Sequence, residues 1–314
     1  MPPEPRAART ARLRAATGER EEQALSSVVG AGSEAGFDVT GAGIWRVGSS
    51  VLVGLPEAQV IGRVDDPGRF DAASRQVAVA EVLVERGVPC ITVTGPLHQP
   101  VGTPAGPLTF WRWLDVTAGE VGPRGLGRLA RSLHEATRGG VDDVPAFQPM
   151  LAVAEELDRA RLAGLTATAE VELLEAQVAS VLERWPVVLD DPLGIAVVHG
   201  DLHRHNAVAT AGGPVLADLE LAGTGPVCAD LVPQVVAVRR YGASPHTVDE
   251  MFAGYGLEPV RWPGFEVLVE AHELWVTVWT VANRGLSRSL EDEAQVRLDR
   301  WRPGAGSPRP WRLH

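Results

Sequence analysis

Lysine is absent from this chain of 314 residues, and all 29 basic residues are arginine. A Walker A phosphate loop, a pyridoxal Schiff base and a lysine general base each depend on a lysine side chain. The sequence therefore excludes these three kinds of site.

Cysteine and long apolar runs are also scarce. Only Cys90 and Cys228 occur, far apart in the sequence, so neither a disulfide framework nor a cysteine-based metal site is indicated. No apolar run approaches the roughly 18 residues that a membrane-spanning helix needs, and the first residues lack the apolar segment typical of a signal peptide. We therefore expect a globular protein of the reducing cytoplasm that does not associate with membranes.

The net charge of −11 and the pI of about 5.2 come without a basic stripe beyond the N-terminal arginines. This balance disfavours nucleic acid as a partner and favours a cationic ligand only slightly. A hydrophobic content of 45% is sufficient for a substantial core, in one large domain or in two lobes.

The pattern of apolar residues changes along the chain. Residues 1–20 are rich in arginine with few apolar anchors and predict a flexible tail, followed by a helix over residues 21–36. Apolar runs broken by turn residues then predict an antiparallel sheet, whereas helical spacing dominates after about residue 124. We therefore predict an α+β fold with a β-rich lobe over residues 21–114 and a mostly helical lobe over residues 115–314.

The segment from His199 to Glu220 is the densest in chemically active side chains. Two short strands, joined at a glycine pair, are predicted for residues 207–218. Folding this hairpin about Gly212 makes Asn206 and Asp218 approximate cross-strand neighbours, with Cβ atoms roughly 5 Å apart. The hairpin therefore predicts that an amide oxygen and a carboxylate converge at its open end.

Two further carboxylates extend this predicted cluster. If the second strand continues, Glu220 points to the same side as Asp218, because side chains alternate along a strand. Asp201 lies on the loop before the first strand and can face the same place. Such a group of hard oxygen ligands suits Mg²⁺ rather than zinc.

Two other interpretations of this segment are weaker. His199 and His203 have the spacing of a zinc-protease helix, but the accompanying glutamate is missing and Gly200 favours a loop. The sequence from Gly200 to His203 resembles one element of metallophosphoesterases, yet no Gly-Asn-His motif accompanies it.

The order and spacing of several motifs resemble a known family. His199-Gly200-Asp201, with Asn206 five residues after the aspartate and Asp218-Leu219-Glu220 starting twelve after the asparagine, is similar to the catalytic and metal-binding segments of aminoglycoside phosphotransferases. These are small-molecule kinases with a protein-kinase-like bilobal fold. The resemblance extends over most of residues 20–303. It includes the helix ending in Leu133-His134, residues 223–231 and residues 273–283.

The resemblance implies roles for individual residues. Asp201 would be the catalytic carboxylate that orients or deprotonates an acceptor hydroxyl, while Asn206 and Asp218 would bind Mg²⁺. Glu220 would support the metal or face the acceptor, and Asp230 would anchor the helical lobe. The phosphoryl donor would be ATP or GTP, and the acceptor a small molecule with a hydroxyl group, such as an antibiotic or a metabolite.

The nucleotide lobe departs from the family pattern at two positions. Arg63 matches the lysine that holds the nucleotide phosphates, and Gln76 matches the glutamate that pairs with this lysine. Arginine can bind phosphate through two hydrogen bonds, but glutamine cannot neutralise its charge. A kinase-like protein that binds nucleotide or ligand without catalysis is therefore the rival hypothesis.

Other candidate binding residues follow from the same resemblance. Ser49 and Ser50 fall in the turn that would cover the nucleotide, although its glycine pattern is incomplete, and Arg112 and Leu114 fall at the hinge that would contact adenine through backbone groups.

Three side chains of the helical lobe are candidates for acceptor binding. His203, like its neighbour His205, either braces its loop or takes part in catalysis. Trp275 and Trp279 lie four residues apart on a predicted helix, and form either part of the core or one wall of the acceptor pocket.

Overall fold

Residues 6–258, 262–302, 304 and 310–312 are described by a computed structural model of the protein, with the backbone alone for residues 6–17. The chain forms two compact units. The first comprises Met1–Glu81 and Ile91–Asp115, and the second comprises Val82–Cys90 and Val116–His314. The lobes predicted from the sequence divide one residue earlier and do not assign Val82–Cys90 to the second unit.

A five-stranded antiparallel sheet, in the order β1-β2-β3-β5-β4, forms the centre of the first unit. Its strands are β1 (Gly43–Val47), β2 (Val51–Leu55), β3 (Val60–Val64), β4 (Val101–Thr103) and β5 (Gly106–Arg112). Residues 90–94, an apolar run, form no strand of this sheet and make only isolated bridges at Cys90 and Val93.

Helix α1 (Arg6–Glu34) covers one face of this sheet. Alternate β2 residues point towards it, and Gly62 of β3 allows the close approach, because a Cβ atom there would lie 2.6 Å from a methyl group of Val28. The predicted tail is wrong for residues 6–20, which continue this helix. Alanine, arginine and glutamate, which dominate this segment, are strong helix formers.

Helix α2 (Phe70–Glu85) begins in the first unit, and its last turn belongs to the second. The second unit contains seven further helices among the residues that the structure describes: α3 (Pro123–Ala136), α4 (Pro149–Leu162), α5 (Thr168–Arg184), α6 (Val232–Tyr241), α7 (His246–Tyr255), α8 (Pro263–Asn283) and α9 (Arg288–Asp299). Proline in the first turn of α3, α4, α6 and α8 supplies a preset φ where a backbone N–H has no intrahelical acceptor.

Helix α8 is the centre of the second unit and is buried on almost all sides. It packs against α4, α5, α6 and α9. Two strand pairs complete the unit: β6 (Ile195–Val198) with β9 (Gly223–Pro226), and β7 (Ala207–Thr210) with β8 (Gly213–Leu216). In the described part of the chain, no helix is both long and apolar enough to cross a membrane.

Candidate active site

A loop over residues 199–206 connects β6 to β7. Because Val198 pairs with Gly223 of β9, the loop emerges beside the segment that follows β8. Gly200 has a φ of +82°, and a Cβ atom there would lie 2.7 Å from the ring of Phe147 and 3.0 Å from the carbonyl oxygen of Leu221. Both the conformation and the space at this position therefore require glycine.

Asp230 anchors the start of this loop from a fully buried position. The backbone N–H groups of His199 and Gly200 donate hydrogen bonds of 2.9 and 2.8 Å to its two carboxylate oxygens. His134 of α3 places Nε2 2.9 Å from Oδ2 of the same carboxylate. Burial raises the pKa of Asp230, but the hydrogen bond and charge of His134 outweigh this effect. The pKa of the carboxyl group is therefore lowered, and the group stays ionised at more acidic pH than an ordinary aspartate.

His199 connects the loop to the end of the β7–β8 hairpin. Its buried ring donates from Nε2 to the carbonyl oxygen of Ala217 at 2.8 Å, while Nδ1 accepts from the N–H of Asp201 at 3.3 Å. Both ring nitrogens therefore serve backbone groups, and the residue braces the loop rather than moving protons.

The hairpin register differs by one residue from the predicted one. Ala207 pairs with Leu216, so Asn206 lies opposite Ala217. The N–H of Ala217 donates to the carbonyl oxygen of Asn206 at 2.9 Å. Asp218 adopts φ +60° and ψ 62°, and the 3₁₀ turn Leu219–Leu221 follows it. The predicted continuation of the strand to Glu220 is therefore wrong, because the left-handed residue turns the chain out of the sheet.

Asn206 is fixed in an orientation that suits a cation. Its Nδ2 donates to the backbone oxygen of Asp201 at 3.0 Å and reaches one carboxylate oxygen of Asp201 at 3.4 Å. The side-chain oxygen of Asn206 is then the atom left for a metal, and it is a hard donor of the kind Mg²⁺ prefers.

Among the described residues, no group of three or more His, Cys, Asp or Glu side chains could hold a metal ion. Mg²⁺ in kinases takes one or two protein carboxylates and completes its coordination with substrate phosphates and water. The donor set of Asn206, Asp218 and Glu220 therefore stays a prediction, in which the nucleotide supplies the remaining oxygens.

Asp201 lies between two imidazole rings. His203 places Nε2 3.6 Å from Oδ2, and His272 of α8 places Nε2 3.8 Å from Oδ1. The Oδ1 atom is buried and has no hydrogen-bond partner within the part of the chain that the structure describes.

The two histidines beside Asp201 have pKa values that are shifted in opposite directions. Burial raises the pKa of Asp201, but the charge of the nearby His203 outweighs it and holds this pKa well below its usual range. Burial lowers the pKa of His203, yet Asp201 more than reverses this, so it is raised. Burial lowers the pKa of His272 to about 4 despite the nearby carboxylate. Asp201 is thus ionised, with a protonatable imidazole on one side and a neutral one on the other.

No motif in the sequence indicates a role for His272, which lies one turn before the candidate residue Trp275 on the same helix. Both residues, with Gly200, line a small cavity whose volume of about 10 Å³ fits one water molecule at most. Trp275 is buried and Trp279 is half-buried. These positions favour the core interpretation for Trp275.

In the first unit, Arg63 has a counter-charge that the sequence analysis missed. Its Nε lies 3.0 and 3.1 Å from the two carboxylate oxygens of Asp65, two residues further along the chain. Asp65 is buried, and its backbone N–H donates to the carbonyl oxygen of Pro107 at 3.0 Å. The family pattern predicts this partner on helix α2, at Gln76.

The turn predicted to cover the nucleotide is held by Arg20 of α1. Its guanidinium donates to the carbonyl oxygens of Gly48 at 2.9 Å and Ser49 at 2.7 Å, and forms an ion pair of 3.0 Å with Asp66. The N–H of Gly48 donates to the carbonyl oxygen of Ser50 at 2.9 Å and closes the turn.

Backbone hydrogen bonds distinguish between Arg112 and Leu114, the two residues predicted to contact adenine. The N–H of Arg112, the last residue of β5, donates to the carbonyl oxygen of Thr92 at 2.8 Å. The N–H of Trp113 donates to the carbonyl oxygen of Gln59 at 2.9 Å. Leu114 is half-buried after the strand and makes no such internal hydrogen bond in the described structure. Of the predicted pair, Leu114 is therefore the better candidate for a backbone contact with a base.

The sequence of residues 47–268 matches the model of the phosphotransferase enzyme family, which includes aminoglycoside phosphotransferases. The chain belongs to this family. Membership confirms the resemblance inferred from the motifs and makes the protein a kinase-type phosphotransferase with an alcohol group as acceptor. No curated protein matches the sequence.

Solved structures agree with this assignment. The aminoglycoside phosphotransferase APH(3'')-Id from Streptomyces rimosus is 17% identical, covering 78% of this chain and 96% of its own, with a TM-score of 0.56. The choline kinase LicA from Streptococcus pneumoniae is 15% identical, covering 82% and 93%, with a TM-score of 0.56. Spectinomycin phosphotransferase APH(9)-Ia, solved with ADP and spectinomycin, is 13% identical, covering 84% and 87%, with a TM-score of 0.53. These likenesses confirm the protein-kinase-like fold.

Proposed function

We propose that this phosphotransferase moves the γ-phosphoryl group of ATP or GTP to a hydroxyl group of a small molecule, with Asp201 as the catalytic carboxylate. The observation that carries this proposal is the buried Oδ1 of Asp201, which has no hydrogen-bond partner among the described residues. A buried acceptor left without a donor costs about 1–3 kcal/mol. A hydroxyl proton from the acceptor would fill this vacancy.

The chemistry follows from the ionisation of Asp201. The acceptor hydroxyl donates to Oδ1, its oxygen forms a bond to the γ-phosphorus, and the bond from that phosphorus to the bridging oxygen of the nucleoside diphosphate breaks. The proton passes to the carboxylate and then to solvent. Because the pKa of Asp201 is held low, the carboxylate orients the hydroxyl and accepts the proton late, as a loose phosphoryl-transfer transition state allows.

The resemblance assigns Mg²⁺ to Asn206 and Asp218, and the hard oxygens of both side chains fit that ion. Bound there, Mg²⁺ would neutralise charge on the nucleotide phosphates. Glu220 is a weaker candidate, because it lies in the 3₁₀ turn after Asp218 and not on a continued strand. In the first unit, Arg63 would bind phosphate, with Ser49, Ser50 and Leu114 as further nucleotide contacts.

The acceptor is proposed only as a class. The similar structures are a choline kinase, an aminoglycoside phosphotransferase and a spectinomycin phosphotransferase. The net charge of −11 is compatible with a cationic acceptor. We propose an aminoglycoside or other antibiotic, in which case the activity would confer resistance, or a hydroxylated metabolite such as an amino alcohol.

A mass-spectrometric screen tests this function. The wild-type protein, Mg²⁺ and ATP or GTP are incubated with panels of antibiotics and metabolites, and products are searched for the addition of one phosphate. The proposal expects a product with the wild-type protein and roughly 10²- to 10⁴-fold slower formation of that product with Asp201→Asn. The exposed carboxylate of Asp142 provides a matched control, Asp142→Asn, which should retain activity.

The rival hypothesis, binding without catalysis, has a distinct signature. Calorimetric titration would show that Mg-ATP binds, while neither an acceptor from the panel nor water receives the phosphoryl group. That combination would contradict the proposed function and leave only a nucleotide-binding role.

A further inference from the structure

The two sides of the Asp201 carboxylate face different environments. His203, on the Oδ2 side, has a side chain that is 36% exposed, whereas His272, on the Oδ1 side, is 8% exposed. The separations of 3.6 and 3.8 Å are both too long for a direct hydrogen bond. The carboxylate is thus flanked by imidazoles without being bonded to either of them.

On the buried side, the distance between the two side chains allows one oxygen atom beside them to contact both. Oδ1 of Asp201 and Nε2 of His272 are 3.8 Å apart, so an oxygen at about 2.8 Å from each completes a triangle with both. A hydroxyl in that position can donate its hydrogen to Oδ1 and accept one from Nε2, which leaves a second lone pair for attack on phosphorus.

The chemical state of His272 suits this arrangement. Burial lowers its pKa to about 4, so the ring is neutral at physiological pH and carries a single N–H. A neutral donor orients the hydroxyl oxygen without adding a positive charge next to Asp201.

The turn of α8 that carries His272 is held firmly. The adjacent Glu273 is buried and accepts two hydrogen bonds, of 2.7 and 2.9 Å, from the guanidinium of Arg240 on α6. This two-point contact fixes the rotation of α8, and therefore the direction of the imidazole, before a ligand arrives.

We infer that His272 is a catalytic residue that contacts the acceptor hydroxyl together with Asp201, so that one oxygen of the acceptor lies within hydrogen-bond distance of both Oδ1 of Asp201 and Nε2 of His272. This inference rests on the proposed function and adds a second contact to the reacting oxygen. The histidine comes from the centre of the helical unit, about seventy positions beyond the loop that carries the sequence motif.

Kinetics with two substitutions test the contact. His272→Phe keeps an aromatic ring without its N–H and should lower kcat roughly 10- to 100-fold, with an unchanged Kd for Mg-ATP and an unchanged midpoint of thermal unfolding. His272→Gln places an N–H at similar reach and should recover part of the rate. His246→Phe, at an exposed histidine of α7, is the matched control.

A crystal structure with Mg-ADP and no acceptor gives a readout that does not depend on activity. The inference expects an ordered water oxygen within about 3.2 Å of both Oδ1 of Asp201 and Nε2 of His272. A direct hydrogen bond between the two side chains, or a water that contacts Asp201 alone, would overturn it.

The failures of the two proposals are distinguishable. If the wild-type protein transfers phosphate and His272→Phe keeps the full rate, the contact is wrong and the proposed function stands. If the wild-type protein transfers no phosphate, the proposed function fails, and the crystal structure still reports whether an oxygen contacts both side chains.

Discussion

Replacement of Asp230 by alanine is expected to destabilise the second unit by about 3–5 kcal/mol, the cost of removing one partner from a buried charged pair. The buried carboxylate accepts hydrogen bonds from the N–H groups of His199 and Gly200 and lies 2.9 Å from Nε2 of His134. Alanine would leave these buried donors without an acceptor, at about 1–3 kcal/mol each. The contributions overlap because they share one carboxylate, so they do not simply add.

Urea unfolding monitored by circular dichroism measures this loss. Asp230→Asn should cost less than Asp230→Ala, since the amide oxygen can still accept one N–H while the amide nitrogen faces the other donor. Asp142→Ala, at an exposed position of the same unit, should stay within about 0.5 kcal/mol of the wild-type protein. A loss below about 1 kcal/mol for Asp230→Ala would refute the anchoring role.

The same residue predicts a pH dependence. Its pKa in the folded protein is lowered, whereas an unfolded aspartate has a pKa of about 3.9. The carboxylate therefore contributes stability above that unfolded value, and the contribution is lost as the pH falls through the folded pKa. The difference between wild type and Asp230→Asn should shrink below about pH 4.

Two further predictions concern the other charged pairs. Asp65→Asn should weaken Mg-ATP binding about 10-fold by calorimetry, because Arg63 loses the carboxylate that orients it. The control Asp71→Asn, at an exposed carboxylate, should leave the affinity unchanged. Equal affinities in the two variants would show that the ion pair has no part in binding. Titration of His203 by NMR should give a pKa above its usual value, and Asp201→Asn should lower it, because that carboxylate is what raises it; an unchanged titration would contradict the pairing.

The catalytic loop could be predicted because its chemistry is local in sequence. His199, Asp201 and Asn206 lie within eight consecutive residues, and a glycine and two β-branched residues define the strand-to-loop transition. Family membership and the protein-kinase-like fold confirm the interpretation that these motifs carried. The roles of the individual residues stay predictions that the variants above can test.

The hairpin shows why local patterns leave an error of one residue. Its loop contains Ala211 and Gly212, so the pairing pivots between them and not about Gly212. Asp218 then takes a left-handed conformation, which is uncommon for a residue with a side chain and is not signalled by the sequence. The predicted position of Glu220 on a continued strand required the other register and an extended conformation at Asp218.

The remaining contacts depend on tertiary structure. Asp65 is placed to pair with Arg63 because Gly106 and Pro107 of β5 hold its backbone, and a Cβ atom at Gly106 would collide with the Asp65 carbonyl oxygen. His272 reaches Asp201 only through the packing of α8 in the second unit. The pairing of His272 with Asp201 has no sequence spacing that identifies it.

The rate of phosphate transfer by Asp201→Asn, measured together with its affinity for Mg-ATP, tests the central claim most directly. Asparagine preserves the shape of the side chain but cannot accept the hydroxyl proton. The account predicts that the Kd for Mg-ATP is retained while transfer to the acceptor falls roughly 10²- to 10⁴-fold. Undiminished transfer by this variant would contradict the assignment of Asp201 as the catalytic carboxylate.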